Sequence, residues 1–119
     1  MNTTVKPGRE LDALVAEKVM GLRFVWRSQL TDHYGYNAGV WTIPTKWGTM
    51  DLTEEPPRYS TDIAAAWEVV EKMREDGFLV ALYRSAGAWI ADTNPGYGKS
   101  DTAPHAICLA ALRAVGEDV

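Results

Sequence analysis

Six aromatic side chains fall between Leu22 and Met50: Phe24, Trp26, Tyr34, Tyr36, Trp41 and Trp47, half of the 12 in the whole chain. The same stretch carries Arg23, Arg27 and Lys46 against a single acid, Asp32. Flat π-faces beside cationic groups are the usual means of stacking a planar base while pairing its phosphate. The pattern therefore predicts a site for a nucleotide-type small molecule, in which Tyr34, Tyr36, Trp41 and Trp47 stack and Arg23, Arg27 and Lys46 take the phosphate. The competing reading is a satellite cluster that pins a long loop. Helix starts offer a second route to anions, because their first amides lack acceptors and carry the positive end of the dipole. Arg58 and Tyr59 precede one such start and Lys99 another, and these three complete the candidate ligand-binding set.

Other residues that could carry chemistry read more simply. Gly96-Tyr97-Gly98-Lys99-Ser100 ends like a phosphate loop, but that pattern needs Gly where Thr93 stands. Asp101-Thr102-Ala103-Pro104 also separates it from the next helix, so residues 94–101 are expected to form a surface loop. His33 and His105 are the only histidines, and neither has an i, i+4 partner; both read as surface or capping residues, and no metal site is expected. Ser60-Thr61-Asp62 reads as capping chemistry, with Ser60 or Thr61 as the cap. Cys108 is alone, which rules out an internal disulfide and a Cys-based zinc site, and in an Ala-rich helix it reads as a small buried hydrophobe. No catalytic set and no cofactor emerge. For an enzyme, His105, His33 and Asp101 would be the only acid/base candidates.

The 119 residues suit one domain, with 1–8 a flexible N-terminal segment and 9–119 the folded unit. Twelve Lys and Arg against 16 Asp and Glu leave a net charge of −4, the wrong sign for duplex nucleic acid. The sequence has no apolar run of membrane-spanning length and no signal-peptide pattern, so no membrane partner is expected and a reducing cytoplasm suits the lone thiol.

The elements that must position these groups follow from periodicity. Leu11, Leu14, Val15, Val19 and Met20 form a helical stripe over 9–20, with Gly21 as its stop. Phe24–Arg27 and Val40–Ile43 are strand-like. A second helix follows Pro56-Pro57, with Ile63, Ala66, Trp67, Val70 and Met73 on its buried side. Phe78–Arg84 is apolar on both alternating faces and predicts a strand covered on both sides, joined by Ser85-Ala86-Gly87 to a second strand over 88–92. Trp67 and Trp89 are expected in the core. Thr102 and Pro104 open a third helix with few polar positions. The fold class is α+β: a three-layer α/β/α sandwich, with a small, mainly antiparallel sheet and helices on both faces.

Three blocks carry a family resemblance: Leu11-Asp12 with Val15 to Gly21, Pro57 with Tyr59 to Val69, and Thr102-Ala103-Pro104 with Ala106-Ile107-Cys108 and Ala110-Ala111-Leu112. In this order they resemble the small phage and prophage proteins grouped as the phage ABA-sandwich domain. The resemblance implies two helical layers enclosing a sheet and brings no established catalytic set. Phage proteins of this size are frequently inhibitors of host defence, and several are sponges for a cyclic oligonucleotide or an ADP-ribose derivative. By that analogy the expected function is a non-catalytic anti-defence protein of the bacterial cytoplasm that sequesters a nucleotide-type immune signal. Its pocket would be completed by a homo-oligomer. The alternatives are a protein-binding inhibitor of a host defence effector, using the same aromatic segment, and an enzyme that degrades the signal.

Overall fold

A computed structural model describes residues 4–27, 38–45, 48–51 and 56–119, and for 24–27, 38–45 and 48–51 the backbone alone. In chain order the elements are α1 (Arg9–Lys18), β1 (Arg23–Arg27), β2 (Ala38–Thr45), β3 (Gly48–Asp51), α2 (Ile63–Glu75), β4 (Ala81–Ser85), β5 (Ala88–Asp92), β6 (Tyr97–Ser100) and α3 (Ala103–Ala114). The strands form two antiparallel three-stranded sheets, β1-β2-β3 and β4-β5-β6. In the first, Phe24 pairs with Trp41 and Thr42 with both Arg23 and Asp51. The expected strand-like runs are thus confirmed and paired, with β3 added to them.

The α+β sandwich is built around α3. Every residue from Ala103 to Leu112 is buried, as its nearly continuous apolar sequence requires. One side of α3 packs on β5 and β6, and the other meets α1 and α2. α1 brings Leu11, Val15, Ala16 and Val19 into this core, while α2 brings Ala66, Val69, Val70 and Met73. The α2 stripe is rotated from the expected one. Val69 joins it, whereas Ile63 and Trp67 lie on its flank at 51% and 48% exposure. Spacing alone does not distinguish a flank from a centre when apolar residues occupy both. Trp89 does pack partly against the core, with the Arg84 guanidinium 5.4 Å from its ring centroid.

Two strand assignments also change. Phe78 belongs to the end of α2: its N–H donates to the Met73 carbonyl at 2.9 Å, and Gly77, at φ +94°, donates to Arg74. That arrangement satisfies the last carbonyls of the helix and tucks Phe78 against the core. Strand β4 consequently starts at Ala81 and is largely exposed, so it is not the doubly covered strand expected over 78–84. Its hairpin to β5 turns through Ala86 and Gly87, both with positive φ, as a tight turn matched to strand twist requires.

Residues 97–100, expected in a loop, form β6, with Gly98 opposite Ala91. Glycine reads as a breaker in sequence, but here it permits contact. A Cβ on Gly98 would run into the Ala106 carbonyl and lie 2.7 Å from the Ala110 nitrogen, and one on Gly96 would run into the Ala110 carbonyl. Arg113 reinforces the seam by donating to the Tyr97 carbonyl at 2.7 Å. No helix among the described residues is long and apolar enough to cross a membrane.

Two substitutions test this packing by chemical denaturation. Gly98→Ala is expected to destabilise the domain by about 1–3 kcal/mol or more, because backbone rather than a flexible side chain must yield. Trp67→Ala is expected to cost about 1 kcal/mol or less, far below the ~3–5 kcal/mol of a core tryptophan.

Candidate functional site

Asp12 lies one turn ahead of Val15 and Ala16 on the buried side of α1, and only 4% of it is exposed. A carboxylate there must be satisfied by donors. Ser60 provides two, its N–H at 2.8 Å and its hydroxyl at 2.6 Å, both to Asp12 Oδ1. The Ser60 hydroxyl oxygen in turn accepts from the Gly8 N–H at 2.8 Å. These bonds join the start of α1 to the turn before α2. Ser60 is therefore not the helix cap; that role falls to Asp62, whose side chain accepts from the Ala64 N–H at 3.1 Å.

A cavity of about 210 Å³ opens beside this junction, lined by Gly8, Arg9, Asp12, Pro56, Arg58 and Thr61. A second, of about 480 Å³, runs along residues 4–10 and shares Gly8 and Arg9 with the first. Together they form a groove around the first turn of α1, where the helix dipole is positive. Arg58 is exposed, and its guanidinium has no ion-pair partner among the described residues.

Of the ten ligand-binding residues expected from sequence, Arg58 is the one that lines this groove among the described residues. Tyr59, beside it, is 2% exposed and sits in the core, so its ring offers no face to a ligand. Burial, with the charge of Glu68 next in weight, pushes its hydroxyl pKa up to about 12. Lys99 is exposed on β6, paired in register with Ile90, and lines neither cavity. Arg23 is exposed at the start of β1, and its side chain or backbone has a partner. Arg27 and Trp41 occupy positions on β1 and β2. Tyr34, Tyr36, Lys46 and Trp47, like His33, lie outside the described residues. Arg9 and Asp12 were missed as site residues. The available signal was an acid in register with the apolar stripe of α1, a placement that demands a partner.

His105 is buried rather than superficial, at 8% exposure. Its Nε2 is 2.7 Å from the Val5 carbonyl, which can only accept, so Nε2 carries the hydrogen and Nδ1 accepts from the Ser100 hydroxyl at 2.6 Å. The two ring nitrogens thereby tie residue 5 and β6, respectively, to α3. Cys108 is fully buried, as expected, and burial raises its thiol pKa well beyond the ordinary range.

The geometry defines an α+β sandwich with a small cationic groove at one helix start. Residues 13–112 match the phage ABA sandwich domain family, and the chain belongs to that family. A phage protein from Bacillus cereus ATCC 14579, known from a 2.0 Å crystal structure, shares the fold with a TM-score of 0.61. It is 24% identical, over 100% of this chain and 95% of that one. No curated protein matches the chain.

The raised Tyr59 pKa has a consequence for stability. Below pH 10 the phenol is neutral in both folded and unfolded chains and costs nothing; between pH 10 and about 12 only the unfolded chain ionises, which favours unfolding. Wild-type protein is expected to lose roughly 2–3 kcal/mol of stability across that interval from this group. Denaturant titrations at pH 9.5 and 11.5 should show the loss reduced by about 1.5–2 kcal/mol in Tyr59→Phe.

Proposed function

We propose that the protein is a non-catalytic binder of a nucleotide-type signal, and that by holding this ligand it acts as a phage anti-defence protein in the host cell. One observation carries the reading: Arg58, exposed and without an ion-pair partner among the described residues, stands with Arg9 on the wall of a cavity at a helix start. A phosphate there meets charge-assisted donors and the positive end of a dipole together. The smaller cavity, about 210 Å³, suits one phosphate with the edge of a ring, and the adjoining 480 Å³ leaves room for the remainder. The net charge of −4 favours a short ligand over a long polyanion. Ser60, next to the cavity-lining Thr61, is 0% exposed and already donates its hydroxyl hydrogen to Asp12, so its hydroxyl is committed to the fold. Membership of the phage ABA sandwich domain family supports the phage part of this reading, and the anti-defence role is taken by analogy with other small phage proteins.

The test is to incubate purified protein with a panel of cyclic oligonucleotides and ADP-ribose derivatives, wash, denature and identify what is released. Intact ligand is expected, retained at least ~10-fold less well by Arg58→Ala. Recovery of products would make the protein an enzyme, and no retention across the panel would turn attention to a protein target.

A further inference from the structure

We infer that the groove selects a ligand carrying an amino-bearing nucleobase beside its phosphate, and that Asp12 is the residue that reads the amino group. The inference rests on the anion site proposed at Arg58 and adds to it the identity of the ring. Asp12 is more than nine-tenths buried, yet it lines the smaller cavity. Both donors that Ser60 supplies go to Oδ1. Oδ2 has no hydrogen-bond partner among the described residues. Joining α1 to the turn before α2 therefore uses one oxygen of the two, and among the described residues the other lacks the donor that a buried carboxylate oxygen requires.

An ionised carboxylate accepts and never donates, so this oxygen discriminates among ligand groups by sign. It repels phosphate and keto oxygens and favours an N–H. Arg58, on the same cavity, has the opposite preference. The two together fix polarity: the phosphate lies toward the guanidinium and the donor edge of the ring toward Asp12. Adenine, guanine and cytosine each present an exocyclic amino group, and a site built to hydrogen-bond such a group rejects the analogue lacking it because its own buried atom is then left unpaired.

The experiment uses calorimetric titration of the full chain with cyclic di-AMP, cyclic di-GMP and ADP-ribose, each beside a counterpart in which hydrogen replaces the exocyclic amino group. At least one parent ligand is expected to bind ~10-fold or more tightly than its counterpart. Asp12→Asn should abolish that preference. Its amide oxygen still accepts from Ser60, so the junction is kept, while an NH₂ replaces the free oxygen and reverses the polarity of the cavity floor. Equal binding of parent and counterpart, still lost in Arg58→Ala, would overturn the role of Asp12 and leave the anion site standing. No binding of any of the six would overturn both. Should thermal melting show that Asp12→Asn does not fold, the ratios measured on wild-type protein decide the matter.

Discussion

The approach of β6 to α3 is the constraint on which the rest of the structure depends. Gly96 and Gly98 bring strand backbone against helix backbone at Ala106 and Ala110, with no side chain between them. Only a pairing of glycine with alanine permits this, and it explains why a helix of mostly small residues, rather than one of large ones, occupies the centre. Because α3 is so closely seated on one side, its opposite side is free to receive α1 and α2. The Leu109 and Leu112 side chains, both 0% exposed, supply bulk that the alanines lack.

The groove is a by-product of how the first two helices are fastened. An apolar interface would have sufficed to hold α1 near α2, but the chain uses Asp12, Ser60 and the Gly8 amide, three polar groups from segments about 50 residues apart. The Ser60 N–H and hydroxyl, the Gly8 amide and Asp12 Oδ1 are satisfied by one another, so their burial is tolerated. Polar groups also need room and orientation that close-packed leucines do not leave, and the cavity beside them is the result. The His105 bridge from Ser100 to Val5 has a related effect, since it holds the segment that forms the groove's second wall.

Much of this architecture was legible in the sequence. The three helices, the hairpin through Ala86-Gly87 and the buried character of α3 follow from apolar spacing and turn residues, and the family resemblance from three blocks of residues agrees with them. Where the reading failed, long-range packing overrode a local rule. Gly96 and Gly98 are turn-formers by composition, yet Gly98 is a strand residue and both are seated against α3. Phe78 looks like the first residue of a strand, yet it closes a helix because Gly77 turns the chain back toward Met73. Trp67 matches the α2 stripe but falls on its flank. The site was less legible than the fold. Aromatic density drew attention to 22–50, whereas the groove of the described residues lies at 8–12 and 56–61, where the informative features are one acid on an apolar face and one arginine beside two prolines. Spacing along the chain does not reveal that these two segments meet; only the Asp12–Ser60 bonds do.

The central position of α3 also bears on how the chain matures on the ribosome. It is synthesised after α1, α2 and the second sheet, yet all of them rest on it. At about 5–20 residues per second, the preceding ~100 residues emerge over roughly 5 to 20 seconds before their common support exists. During that interval the apolar stripes of both earlier helices face solvent or chaperones. Burial of those two stripes is complete only once α3 has docked.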